Sequence, residues 1–201
     1  MILTTHVIED SLKEYSNTPC KLSRLVRDGK YHRIIRGLYE TDKDTPGEYL
    51  AQAICNPSYL SFEFALSRYG LIPEAVFKYT SASFRKKRAK RYETSFGTFT
   101  YADVPEKVFP YGVVYVSDDR GGYWIAGPEK ALCDKVYSIS PVGSEKAMVT
   151  LLFDDLRIDD DAFMRLDIER LETISEIYGS KNVRLLTKVR RKMDGDILKI
   201  V

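Results

Sequence analysis

The stretch Lys21-Leu-Ser-Arg-Leu-Val-Arg-Asp-Gly-Lys-Tyr-His-Arg-Ile-Ile-Arg-Gly-Leu-Tyr-Glu40 decides the reading of the fold. Leu22, Leu25 and Val26 recur at helical spacing and define one apolar stripe. Thr18-Pro19 ahead of them suits a helix start, because Thr can cap free N–H groups and Pro fits the first turn. Gly29 is placed to end the helix in the left-handed conformation. Tyr31 to Ile35 then reads as a strand, Arg36-Gly37 as a turn and Leu38 to Thr41 as the returning strand. Upstream, Thr5 to Tyr15 reads as another helix, broken at Ser16-Asn17. The unit is helix, helix, β-hairpin, over residues 1–44.

Charge follows the same stretch. Lys21, Arg24, Arg27, Lys30, Arg33 and Arg36 recur at every third position, with Asp28 the only acid among them. Lys21, Arg24 and Asp28 share a helix surface away from the apolar stripe, and Arg27 lies toward its flank. A basic helix followed by a hairpin with a basic turn is the layout of a winged helix. There the helix enters the major groove and the hairpin touches the adjacent backbone. Charge alone fits equally a solvated helix face with an internal Arg24–Asp28 ion pair.

Residues 45–201 read as a mixed α/β body. Helices are expected over Pro46 to Cys55 and Ser61 to Tyr69, and strands over Ala75 to Ser81, Tyr92 to Phe96, Thr98 to Tyr101 and Val113 to Ser117. Gly97 marks a bend, and Asp118 to Gly122 is a turn signal, its Gly121-Gly122 pair of the kind a hairpin needs, before an antiparallel strand at Tyr123 to Ala126. Pro128 to Ile139 is a helix, followed by helices near 144–153, 167–178 and 180–193. The fold class is α+β: a short, N-terminally truncated winged helix-turn-helix, then the body with its helices gathered toward the end.

Several function classes lose support. The net charge is only +2, so a nucleic-acid footprint must come from local clustering. No apolar run reaches bilayer length and residues 1–13 lack a signal peptide's apolar centre, so a cytoplasmic protein without membrane contact is expected. Cys20, Cys55 and Cys133 are odd in number and far apart, which suggests small buried residues rather than disulfides. His6 and His32 have no zinc spacing, and the acids Asp154, Asp155, Asp159, Asp160 and Asp161 lack the pattern of a calcium loop. Helix caps and loop account for them better. No phosphate loop or nucleophile elbow is present, so no metal, cofactor or catalytic residue is expected.

Two further basic runs stand out. Arg85, Lys86, Lys87 and Arg88 open a loop dense enough to attract phosphate, with a solvated loop as the alternative. Arg184, Lys188, Arg190, Arg191 and Lys192 read as a charged solvent face of a late helix. Lys130 and Asp134, four apart, suggest a surface ion pair worth only ~0.3–0.5 kcal/mol.

Together these blocks resemble AbiEi-type antitoxins. The stretch 21–40 is similar to the end of that family's winged helix, with its Gly-Lys corner and Arg-Gly-Leu-Tyr turn. Ser61 to Pro73, Thr94 to Tyr101, Ile125 to Lys135 and Asp155-Leu-Arg157 resemble later blocks, the set Pro128, Glu129, Lys130, Ala131, Leu132 and Asp134 being the most specific. The family has an extra helix before the two found here. The resemblance implies a non-enzymatic antitoxin that neutralises a nucleotidyltransferase-like toxin and represses its own operon at inverted repeats in operator DNA. Lys21, Arg24 and Arg27 would lie on the recognition helix, and Arg33 and Arg36 on the wing. Two alternatives stay open: an antitoxin acting by protein contact alone, and an enzyme acting on the toxin or on nucleic acid.

Overall fold

The computed structural model describes residues 1–197. The chain opens with a strand, β1 (Ile2–Thr4), that sequence pattern does not reveal, and continues through α1 (Thr5–Ser11), α2 (Thr18–Arg27), β2 (His32–Ile35) and β3 (Leu38–Glu40). β3 is the middle of an antiparallel sheet in the order β1-β3-β2. The expected first helix is shorter, ending at Ser11. Asn17 rather than Thr18 caps α2, accepting a hydrogen bond from the Cys20 amide at 3.0 Å. Ile8 and Leu22 are buried, and α1 and α2 are in contact. Leu25 and Val26 remain half-buried, and Cys20 is exposed, contrary to expectation.

The body holds α3 (Gly47–Ile54), β4 (Ser58–Leu60), α4 (Phe62–Arg68), β5 (Lys78–Ser83), β6 (Lys90–Thr94), β7 (Gly97–Asp103), β8 (Val113–Asp118) and β9 (Gly121–Ala126). There follow α5 (Pro128–Tyr137), α6 (Glu145–Thr150), α7 (Asp160–Met164), α8 (Ile168–Tyr178) and α9 (Lys181–Ile197). A π-helical turn at Leu151–Asp155 closes α6. The six strands form one mixed sheet in the order β6-β7-β5-β4-β9-β8, parallel at β5/β7 and β4/β9. The class is α+β. No helix among the described residues is long and apolar enough to cross a membrane.

Alternation along β4 assigns the layers. Leu60, Ser81 and Tyr101 are register partners on one face, where the Tyr101 hydroxyl donates to the Ala51 carbonyl of α3 at 2.6 Å. Tyr59 and Ser61 point to the other face and reach α5. α8 and α9 lie against the far side of α5. Ile34, from the hairpin, belongs to the same apolar cluster as Leu50, Phe99, Leu132 and Phe163. The hairpin is therefore fastened to the body.

The β8–β9 turn is made by Asp119-Arg120, within the expected Asp118–Gly122 stretch, while Gly121 and Gly122 pair with Asp118 and Ser117 inside the ladder. Gly122 is bare because Tyr115 lies across it: a Cβ there would meet the phenol oxygen at 2.2 Å. Lys130 and Asp134 do not form a surface pair, since both side chains are fully buried. Asp134 accepts from Lys130, from Tyr178, from Tyr59 at 3.0 Å and from Ser61 at 2.6 Å, joining α5 to β4 and α8. Burial first, and the Asp134 charge second, push the Tyr59 and Tyr178 phenols far above their usual range.

Candidate nucleic-acid interface

α2 presents the first cations. Gly29, at φ +72°, closes it as expected: its N–H and that of Lys30 bond the Val26 and Leu25 carbonyls at 3.1 and 2.8 Å. Lys30 is thereby fixed at the exit of the helix. Lys21 is half-buried, with its ammonium 4.6 Å from the centre of the Tyr15 ring. Arg24 and Arg27 are exposed. The Arg24–Asp28 pair does not form. Asp28 instead meets Arg27 at 3.8 Å, an exposed contact of small energetic weight.

The hairpin presents the next two. A bulge in β2 between Arg33 and Ile35 turns Ile34 into the core and leaves Arg33 in water. Arg36 sits at the two-residue tip, made possible by Gly37 at φ +88°. The Gly37 carbonyl accepts from the Thr5 amide at 3.0 Å, tying the tip to the start of α1. Arg33 and Arg36 line a cleft of about 830 Å³ whose other wall is Tyr92 to Ser95, at the end of β6. Among the described residues, Lys21, Arg24, Lys30, Arg33 and Arg36 make no ion pair.

The basic loop between β5 and β6 is a built structure. One carboxylate oxygen of Asp103 accepts from the backbone amides of Lys86 and Lys87 at 2.7 and 2.9 Å, and the other accepts from Ser83 at 2.9 Å. Gathering two successive amides around one oxygen holds Arg85 and Lys87 at φ +56° and +67°. Two of the four loop cations are then committed. Arg85 pairs with Glu106 at 2.7 Å, and Lys86 donates to the Asn56 carbonyl at 2.7 Å. Lys87 and Arg88 stay exposed and make no ion pair among the described residues. β6 connects this loop to the cleft beside the hairpin, a span of about 17 Å for five residues. Along it Arg91 is neutralised by Glu93 at 2.7 Å.

The late basic helix keeps Arg184, Lys188, Arg191 and Lys192 on its solvent face, as expected, but not Arg190. Arg190 is buried and donates to the Met164 and Leu166 carbonyls at 2.7 and 3.3 Å, while Arg191 and Lys192 pair with Glu172 and Glu145. Of the acids that tempted a metal reading, Asp159 caps α7, accepting from the Ala162 amide at 2.8 Å. Among the described residues no cluster of three His, Cys, Asp or Glu is placed to hold a metal ion.

No family model matches the chain, and no curated protein matches it.

Proposed function

We propose that this chain is a DNA-binding regulator of the AbiEi antitoxin type. It would read DNA through α2 and the β2–β3 hairpin. The observation that carries the reading is the set Lys21, Arg24, Lys30, Arg33 and Arg36, which runs along α2, its exit and the hairpin and is not neutralised by any of the described residues. Uncompensated cations at a helix and at a hairpin tip suit phosphate contacts, and α2 is the element whose side chains would reach base edges. Lys87 and Arg88 extend the same field beyond β6. The nucleotidyltransferase-like toxin implied by the resemblance would be the protein it counters, by direct contact or through a shared target.

The test is binding of Arg24→Ala and Arg36→Ala to a duplex from upstream of the protein's own gene. Arg24→Ala is expected to weaken sequence-specific binding by roughly 1–3 kcal/mol and Arg36→Ala to weaken all duplexes alike. Affinities equal to the parent in both variants would remove α2 and the hairpin from the interface.

A further inference from the structure

The two edges of the six-stranded sheet are finished differently. β6 carries Lys90, Arg91 and Glu93 and is flanked by β2 of the smaller sheet. Charge and cover of this kind block pairing with another strand. β8, at the opposite edge, carries a single charge, Asp118 at its last position, and no cover among the described residues. From Val113 to Ser117 it carries no charge, no proline and no bulge, and its outer backbone groups meet no partner among the described residues. Val114 and Tyr115 are 45% and 55% exposed, and Trp124, its ring tilted at 52° to that of Tyr115 with centres 5.0 Å apart, is 42% exposed. An open six-residue edge beside an uncovered aromatic pair is a surface for one more strand.

The ends of β8 say which strand. The turn beyond one end carries Asp119 and Arg120, both exposed and outside any ion pair among the described residues. The other end opens on a cleft lined by Tyr111, Val114, Glu169 and Arg170, among others. Antiparallel pairing of β8 with a second β8, centred on Tyr115, carries the turn of each copy to that cleft of the other. Arg120 would then face the second copy's Glu169 at each end of the seam, while Arg170 is held within its own copy by Asp167 at 3.3 Å. A base beyond one end of the strand and an acid beyond the other complement themselves under a twofold axis, as an isologous interface requires.

We propose that β8 is a self-pairing edge: two copies of this chain join β8 to β8 in antiparallel fashion and form one sheet continuous through both. The Tyr115–Trp124 pairs of the two copies meet at its centre. The proposal is independent of the DNA reading, because the interface lies on β8 rather than on α2 or the hairpin.

Sedimentation velocity of the full chain without DNA, over a wide range of concentration, tests it. The expected result is a reversible dimer, which Tyr115→Lys converts to a monomer that still unfolds cooperatively, at a midpoint no longer dependent on concentration. Arg120→Glu and Glu169→Arg each weaken the dimer, and the double variant restores it. Arg120 and Glu169 are exposed, so these variants stay informative should Tyr115→Lys fold poorly. Hydrogen exchange of the outward-facing β8 amides slows with concentration in the parent and in the double variant, but not in the single variants. A chain that stays monomeric throughout, with β8 amides exchanging freely, overturns the proposal. So does a dimer unaffected by the charge reversals, and so does a 1:1 complex with a foreign partner seated on β8 while the chain alone stays monomeric.

Discussion

Lys130 and Asp134 face each other one helical turn apart on α5, with neither side chain reaching water. The ammonium lies 4.9 Å from the centre of the Tyr178 ring and 5.4 Å from that of Tyr59. Taking both charges out of water is costly, and it is offset here by hydrogen bonds from Tyr59, Ser61 and Tyr178 to the carboxylate. Removing one partner leaves the other buried and uncompensated. Lys130→Met is expected to destabilise the fold by about 3–5 kcal/mol in chemical denaturation. The double variant Lys130→Met/Asp134→Leu should be less destabilised than Lys130→Met alone. Additive losses would show that the pair is not coupled.

Asp103 organises the basic loop, so its removal should act locally. Asp103→Ala is expected to speed tryptic cleavage at Arg85 to Arg91 while the global unfolding midpoint moves less. Lys87→Gly, at φ +67°, relieves left-handed strain of about 1 kcal/mol, in part returned as chain entropy. Its melting temperature should match or exceed that of the parent, and a fall of several degrees would contradict the strain assignment.

Gly47 starts α3 against the ring of Tyr79, whose hydroxyl accepts from the Gly47 amide at 3.1 Å. A Cβ at Gly47 would fall 2.2 Å from the ring. Gly47→Ala is therefore expected to cost roughly 1–3 kcal/mol through overpacking, despite the better helix propensity of alanine. A stabilised variant in thermal denaturation would refute this contact.

Tyr49 and Asp118 share a hydrogen bond of 2.5 Å between α3 and the end of β8. That bond, chiefly, pushes the Tyr49 phenol up to about 12 and holds the Asp118 carboxyl below its usual value. The two signs differ. The phenol's contribution to stability is present below the unfolded phenol value near 10 and is lost as pH rises through about 12. The carboxylate's contribution is present above the unfolded value near 4 and is lost as pH falls through the lowered folded value. In Asp118→Asn, ultraviolet titration should find the Tyr49 phenol back toward 10. An unchanged titration would remove Asp118 as the cause.

The long patterned elements were legible in the sequence, and α2 with its Gly29 terminator is the clearest case. β1 and β4, three residues each, are too short to show alternation and exist because β3, β5 and β9 offer them partners. Lys130 and Asp134 looked like a surface pair because an i,i+4 spacing says nothing of what covers the helix. Four of the ten residues of α5 are charged, so its sequence gives no sign that α8 and α9 cover the side that carries Lys130 and Asp134. The cations of the candidate interface were legible by position. Their division into committed and uncompensated ones was not, because Glu106, Asn56 and Asp103 reach the loop from distant parts of the chain.

The central claim is that α2 and the hairpin bind DNA. The most direct measurement is the affinity of the full chain for its own upstream duplex and for a scrambled duplex, each at several salt concentrations. The account predicts tighter binding to the upstream duplex. It also predicts a slope of log affinity against log salt on the order of −3 to −5, from about 0.9 per phosphate contact and most of the uncompensated cations. Weak binding, equal for the two duplexes and insensitive to salt, would contradict it.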